Sequence, residues 1–304
     1  MKRRLLDVAP SETGLLLSLL QTRLSLSRVD ARALLVRGAV YLRGKRTEAL
    51  DARVKAGDKV LVVLEESGVS VLVPEAQPAP LRVVFQDAHL LAVDKPAGLP
   101  AQATPGGATS LSALATRHLG HPAGLVHRLD KGTTGLTLFA VTAEATSFLA
   151  LAFRTGRVRK QYLAATGPGL PERGTVSLPL SRDPSRPGRW RASARAHGVE
   201  AVTDFRRLGA HAGYALAVLW PKTGRTHQLR AHLASQGAPL LGDTLYGGAR
   251  DARVVRPVLH AHVLEFPHPA TGARLTLVAP LPEDLLGLFV ASGLRPPEGP
   301  LFGD

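Results

Sequence analysis

Residues 124–135 read GLVHRLDKGTTG and form a polar loop between two apolar stretches. Asp130 is the only acidic residue of this loop. An aspartate followed by Lys-Gly is typical of a turn, so the loop alone favours a turn-forming role for Asp130 over a catalytic one. The apolar run at residues 136–141 predicts that a strand follows the loop directly.

The composition predicts a folded protein of more than one domain. The chain has 304 residues, of which 45% are hydrophobic and 20% charged. These values are ordinary for globular proteins and exclude fibrous and wholly disordered chains. The chain has no cysteine, which excludes disulfides, thiolate nucleophiles and cysteine-ligated metal sites.

Positive charge is concentrated in one part of the chain. The formal net charge is +14, and residues 151–230 hold 15 basic residues against 4 acidic ones. Such an excess is typical of proteins that bind polyanions. The alternative is a compositional bias towards arginine, which supplies 30 of the 38 cations.

The sequence favours a cytoplasmic protein. No segment reaches the roughly 18 apolar residues that span a bilayer. The basic N-terminus followed by leucines at residues 15–20 resembles a secretion signal, but Asp7 and Glu12 interrupt it and no small-residue cleavage site follows.

The chain is expected to form two domains, at residues 1–75 and 76–304. In the first, residues 15–24 predict a helix, a Ser27–Asp30 capping pattern opens a second helix, and short strands follow. Prolines at positions 74, 78 and 80 indicate a linker. The second part is rich in strands mixed with a few helices.

Four further elements are predicted in the second part of the chain. A strand holds Lys160 and Tyr162, which point to the same side because they lie two residues apart. A helix is expected from Thr226 to about Ser235, and a closing helix over residues 282–290. Thr142 is suited to cap a helix that precedes Lys160.

Six short motifs occur in order over about 170 residues and resemble those of the RluA-type pseudouridine synthases. They are DKPAGL at 94–99, HRLDKGTTGL at 127–136, KQY at 160–162, TGRTHQLRAHL at 223–233, LGDTLYG at 241–247 and LHAH at 259–262. Each match alone is weak, but their number and order make the resemblance specific.

The resemblance implies an α+β fold with a mixed, largely antiparallel central sheet, and isomerisation of uridine in RNA without a cofactor or metal. The first 75 residues resemble the alpha-L RNA-binding module, a small α/β domain. Arg43-Gly44 stands where that module usually has an Asn-Gly turn.

Within this resemblance Asp130 is the expected nucleophile, acting on either the ribose or the base. A carboxylate acts in this way only when it is ionised, and a neighbouring guanidinium favours the ionised form. The motif match puts Arg225 beside Asp130, with Arg230 as the alternative or as a contact to RNA phosphate. The competing interpretation is that both arginines are solvated helix cations.

Other residues are assigned by the same resemblance. Tyr162 is expected to stack on the target base and to accept the ring proton, and its alternative is an ordinary core tyrosine. Arg128 is expected to fill the gap left by an extruded nucleotide.

The remaining expected RNA-binding residues are basic or imidazole side chains. Lys160 is expected to hold phosphates together with Arg154, Arg157 and Arg159, unless this cluster is a solvated face. His127 and His227 are expected to orient the active-site loops at the substrate by hydrogen bonds. A metal site is disfavoured, because the histidine spacings are unsuitable for metal binding and lack acidic partners.

The expected partner is RNA, with large-subunit ribosomal RNA favoured and transfer RNA as an alternative. A monomer is favoured. Two rival functions remain: a catalytically silent RNA-binding or ribosome-assembly factor, and a hydrolase with paired carboxylates. The second is disfavoured because the loop offers no second acid.

Overall fold

The computed structural model describes residues 2–36, 39–47, 49–64, 80–103, 109–186, 188–194, 198–211, 213–251, 253–254 and 256–302. The chain divides into two compact units, Met1–Pro80 with Ala103–Thr109, and Leu81–Gln102 with Ser110–Asp304. The domain boundary expected after residue 75 lies outside the described residues, as do Pro74 and Pro78. In the described ranges, no helix has the length and apolar character needed to cross a membrane.

The first unit combines two helices with small antiparallel sheets. Its sheets have the orders β1-β6-β3-β4 and β2-β5. The elements are β1 (Lys2–Asp7), β2 (Gly14–Leu15), α1 (Leu16–Leu24), α2 (Arg28–Val36), β3 (Val40–Leu42), β4 (Lys45–Arg46), β5 (Arg53–Val54) and β6 (Lys59–Leu64), with a 3-10 turn at Pro10–Glu12.

Local sequence explains how these elements begin and turn. Ser27 Oγ accepts a hydrogen bond from the Asp30 N–H at 3.1 Å, which confirms the predicted start of α2. Arg43 and Gly44 have φ values of 53° and 77°, as the two-residue turn between β3 and β4 requires. The Arg43 guanidinium binds both Asp58 oxygens, at 2.7 and 2.6 Å.

In its described residues, the second unit contains the remaining strands and four helices. They are β7 (Val83–Gln86), β8 (Leu90–Lys95), α3 (Leu111–Leu119), β9 (Gly124–Leu125), β10 (Thr134–Ala140), α4 (Ala143–Arg154), β11 (Arg159–Thr166), β12 (Arg173–Ser177), β13 (Leu180–Arg182), β14 (Trp190–Ala192), β15 (Val202–His211), β16 (Tyr214–Pro221), α5 (Gln228–Ser235), β17 (Leu259–Pro267), β18 (Arg274–Val278) and α6 (Glu283–Ser292).

Ten of these strands form one sheet, which confirms the expected mixed, largely antiparallel architecture. The order is β12-β15-β16-β11-β17-β10-β8-β7, with β18 beside β17 and β9 beside β10. The pair β10–β17 is parallel. Gly135 lies in this pair with φ 106°, and a Cβ there would come within 2.2 Å of the Ala261 carbonyl oxygen, so only glycine allows this close approach.

Alternating side chains of the central strand β11 face two different cores. Tyr162 packs in one cluster with residues of α5, whereas Leu163 packs in another with residues of α6. The strand thus separates the face that carries Tyr162 from the face covered by α6. Helix α4 begins where predicted, with the Thr142 hydroxyl accepting the Ala145 N–H at 3.1 Å.

Candidate active site

The loop between β9 and β10 carries Asp130, and buried cations hold its backbone. Lys95 is fully buried, and its ammonium donates to the carbonyl oxygens of Pro96, Leu99 and Lys131 at 2.9–3.2 Å. Arg256 donates to the Gly132 carbonyl at 3.3 Å. The peptide units directly after Asp130 are therefore fixed from two sides.

Burial of Lys95 has an electrostatic consequence. It lowers the pKa of this lysine to about 8, while the negative charge of Asp130 acts in the opposite direction. At neutral pH the ammonium is still largely charged. The charge of Lys95 therefore contributes a positive potential at the carboxylate of Asp130.

The arginine in contact with Asp130 is Arg230. Its Nη1 lies 3.4 Å from Asp130 Oδ2, and the side chain of Asp130 is 26% exposed. His227 Nε2 lies 3.8 Å from the same oxygen. The structure thus brings together a partly buried carboxylate, a guanidinium and an imidazole.

Arg225, which the motif placed beside Asp130, lies elsewhere. Its Nε donates to the Glu200 carbonyl oxygen at 3.1 Å, and its side chain is exposed. The physical reason is that α5 starts at Gln228 instead of Thr226, after His227 with φ 56°. Arg225 belongs to the turn before the helix, whereas Arg230 lies in the first turn of the helix.

The hydrogen bonds of His227 fix its protonation state. Arginine N–H groups only donate, so Nε2 of His227 accepts from Arg230 Nη1 at 3.0 Å. The proton is then on Nδ1, which donates to the Tyr246 hydroxyl at 3.1 Å. Burial has the largest effect on His227 and lowers its pKa, although the charge of Asp130 acts in the opposite direction, so the imidazole is neutral.

Tyr162 lies in the core cluster that also contains Leu129 and Leu229, the neighbours of Asp130 and Arg230. Its side chain is buried, yet its hydroxyl has no hydrogen-bond partner among the described residues. Burial raises the pKa of this hydroxyl, and the charge of Asp130 adds to the effect. Tyr162 therefore presents a neutral phenol beside the candidate nucleophile.

Comparison with known proteins identifies the family. The family model described as RNA pseudouridylate synthase matches residues 89–235. The ribosomal large subunit pseudouridine synthase D of Xanthomonas campestris is 39% identical over 71% of this chain and 70% of its own. An uncharacterised RNA pseudouridine synthase of Mycobacterium bovis is 35% identical over 86% of this chain and 89% of its own.

The chain belongs to the RNA pseudouridylate synthase family. It is an isomerase that converts uridine in RNA to pseudouridine. A solved structure agrees: human RNA pseudouridylate synthase domain containing 4 superposes with a TM-score of 0.60 and 29% identity, over 71% of this chain and 95% of that one.

Two residues of this pseudouridine synthase that sequence reasoning did not single out complete the cluster. Asp243 binds Arg230 through two hydrogen bonds, and the Tyr246 ring lies 5.0 Å from the Arg230 guanidinium carbon. Both belong to the LGDTLYG motif at 241–247. That motif supported the family resemblance, but its spacing alone gives no sign that it contacts Arg230.

Lys160 and His127 lie on the Tyr162 side of the synthase. The Lys160 ammonium donates to the Thr223 carbonyl at 2.9 Å, and burial, together with the charge of Arg225, lowers the pKa of Lys160 to about 8. His127 stacks on Phe153 with 4.9 Å between ring centroids. Its Nε2 accepts the Leu138 N–H at 3.0 Å, so it ties the loop to β10.

The basic residues expected to bind RNA differ in whether they already contact other side chains of the protein. Arg128 is exposed and forms no hydrogen bond or ion pair with the described residues. Arg159, in contrast, pairs with Glu265 at 3.4 Å and lies over the Phe302 ring. Arg157 lies over the Phe148 ring, and Arg154 is exposed.

Several histidines among the described residues of the synthase form internal hydrogen bonds. His232 contacts the Thr203 hydroxyl and the Leu178 carbonyl, at 2.9 and 3.0 Å. His260 contacts the Thr134 hydroxyl at 2.9 Å. Within the described part of the chain, no three histidine or acidic residues are grouped as metal ligands would be.

Proposed function

We propose that this enzyme isomerises specific uridines of large-subunit ribosomal RNA, with Asp130 as its nucleophile. The observation that carries the proposal is the placement of a partly buried Asp130 carboxylate against Arg230, in a family that isomerises uridine. The RNA class is supported by relatives such as the Xanthomonas campestris protein, whose name specifies the ribosomal large subunit.

The reaction exchanges one bond for another within the nucleotide. The N1–C1′ bond breaks, the base turns, and a C5–C1′ bond forms, while a proton leaves C5 and one is taken up at N1. Atoms and electrons balance without an oxidant or reductant. A carboxylate assists by a transient covalent bond to the ribose or the ring, and this bond breaks before the product leaves.

The charges around Asp130 suit this role. Arg230 lies 3.4 Å from the carboxylate, and the buried ammonium of Lys95 adds a second positive charge that interacts with it. The contact with Arg230 is long for a charge-assisted hydrogen bond, so the oxygen is stabilised without being tightly bound. An ionised, loosely held carboxylate is what a nucleophile requires.

Tyr162 and Arg128 complete the proposed site. The flat ring of Tyr162 is suited to stack on the extruded uracil, and its unpartnered hydroxyl is available to the ring proton. Because the hydroxyl is neutral, it takes the C5 proton only as it gives up its own proton, and the overall balance requires one proton to be delivered to N1. Arg128, exposed two residues before Asp130, is placed to occupy the gap in the RNA stack.

Basic and imidazole residues around the site are proposed to hold the RNA strand. Lys160 and Arg225 are close enough for their charges to interact, and their positive potential suits a phosphate. His127 supports the site by tying the loop to β10, and His227 supports it by accepting a hydrogen bond from Arg230. The first unit, proposed as an RNA-binding domain ending near residue 75, adds affinity.

The experiment that tests the proposal maps pseudouridines in all cellular RNA with and without the gene. We expect one or more sites in large-subunit ribosomal RNA to disappear, and to return with the wild-type gene but not with Asp130→Asn. Loss of transfer RNA sites instead would overturn the ribosomal assignment. Unchanged RNA, or rescue by Asp130→Asn, would favour a silent RNA-binding factor.

A further inference from the structure

Arg230 is bound more tightly to a second carboxylate than to Asp130. Its Nε and Nη2 donate to the two oxygens of Asp243 at 2.7 and 2.8 Å, a bidentate pair. The side chains are 11% and 1% exposed. The contact with Asp130, at 3.4 Å, uses only Nη1.

The loop around Asp243 is built to fix this carboxylate. The Asp243 N–H donates to the Leu240 carbonyl, and the Asp243 carbonyl accepts from Tyr246 and Gly248. A Cβ on Gly248 would lie 1.9 Å from the Leu240 carbonyl oxygen, so the tight turn needs glycine. Asp243 therefore has little freedom to follow a moving arginine.

Two further contacts restrain the guanidinium. Nη1 also donates to His227 Nε2 at 3.0 Å, and the Tyr246 ring lies 5.0 Å from the guanidinium carbon. A guanidinium held on these sides cannot rotate to present two N–H groups to Asp130. Without Asp243, that rotation would give a close bidentate pair with Asp130.

We propose that Asp243 is a positioning residue that holds Arg230 back from Asp130. The restraint leaves the oxygens of Asp130 available to the target nucleotide while the positive charge stays nearby. The inference rests on the proposed role of Asp130 as nucleophile.

The test compares Asp243→Asn with the wild-type enzyme. The substrate is total RNA labelled with [5-³H]uridine from cells that lack the gene, and turnover is the release of tritium from C5. We expect kcat to fall about 10- to 100-fold, while the Kd for the same RNA changes less than threefold. Asp243→Glu, which keeps the charge, should recover at least part of the lost rate.

A pH profile separates positioning from a merely structural role. Among the described residues, the charge of Asp130 acts on the titratable groups of Lys95, Tyr162, His227, Arg230 and Tyr246. In Asp243→Asn the released guanidinium pairs closely with Asp130 and favours its ionised form. The pH of half-maximal activity on the acid side should therefore move down by about one unit.

The control is Asp87→Asn, which removes an Asp87–His268 contact of 2.7 Å elsewhere in the same unit and should leave kcat unchanged. The inference would be overturned if Asp243→Asn lowered kcat and RNA affinity by equal factors. It would also be overturned if the acid side of the pH–activity profile stayed in place or moved to higher pH. Should Asp243→Asn not fold, Asp243→Glu must still lower kcat without changing Kd. Asp130→Asn measured in parallel tests the nucleophile itself, so a failure of the proposed function is seen separately.

Discussion

At the scale of the residue, the carboxylate of Asp130 is predicted to be required for turnover but not for RNA binding. Asp130→Asn removes a nucleophilic oxygen and no basic contact, so tritium release should fall at least about 1,000-fold while the Kd for RNA changes less than twofold. Glu172→Gln, an exposed acid of the same unit, is the matched control and should behave as wild type. Residual turnover near the wild-type rate would contradict the assignment.

His127 gives a prediction about stability. Burial, with the charge of Lys160, lowers the pKa of His127 to about 3, whereas an unfolded histidine titrates near 6.5. Below pH 6.5 the unfolded chain therefore takes up a proton that the folded chain does not, and the folded state loses stability as pH falls. This cost is absent above pH 6.5 and reaches up to about 2 kcal/mol at pH 5.

His127→Gln removes that titration and keeps an acceptor for the Leu138 N–H. Urea unfolding at pH 7 and pH 5 should show a smaller loss of unfolding free energy in the variant than in the wild type, by up to about 2 kcal/mol. Equal losses would show that His127 does not remain neutral in the folded protein.

The residues of the site were predictable from sequence to different degrees. Asp130 and Tyr162 were found through their motifs, and the structure puts them in one region. The choice between Arg225 and Arg230 was not predictable, because it depends on where α5 begins. Gln228 decides this by accepting the Arg225 N–H at 3.0 Å and donating to the Val202 carbonyl at 2.9 Å, a contact across 26 residues that no local pattern reveals.

At the scale of the element, the β13–β14 hairpin borders the site. The Trp190 N–H donates to the Tyr246 hydroxyl at 2.9 Å, and the Arg189 guanidinium lies 5.4 Å from the Tyr246 ring centroid. Arg186 and Arg191 are exposed on this hairpin. Their position beside the Tyr246–His227–Arg230 contacts suits phosphates that flank the target nucleotide.

Arg186→Gln and Arg191→Gln should each weaken RNA binding and reduce the slope of log K against log salt by about 0.7–0.9, without lowering kcat. The control is Arg295→Gln, an exposed arginine beyond α6, on the face of the sheet opposite Tyr162. A salt slope changed as much by Arg295→Gln would show that the hairpin has no special role.

Elements with a strong apolar pattern were the predictable ones. Strand β10 and helices α1 and α4 lie close to where hydrophobic runs and caps placed them. Strand β15 was missed because its sequence, VTDFRRLGAH, alternates too weakly and is half exposed. Helix α3 was also missed, although Ser110 accepts the Ala113 N–H as an N-cap and Gly120 ends the helix. Both signals were present in the sequence.

At the scale of the whole molecule, the two units have separate hydrophobic cores. The core of the first contains only residues between Leu6 and Val62, and the clusters that include β7–β18 contain none of these. Among the described residues, each of these clusters is made of residues of one unit. Asp130, Tyr162, His227 and Arg230 belong to the second unit.

This separation predicts that RNA affinity and catalysis divide between the units. A fragment of residues 76–304 should keep its fold, as measured by circular dichroism. At saturating RNA, its rate of tritium release should be within about threefold of that of the full chain, because the fragment contains Asp130, Tyr162 and Arg230. Its Kd should rise, and its slope of log K against log salt should be shallower by at least about one unit, because phosphate contacts of the first unit are lost. If the salt slope were the same for the fragment and the full chain, the first unit would not bind RNA. If the fragment lost turnover at saturating RNA, the first unit would contribute to catalysis.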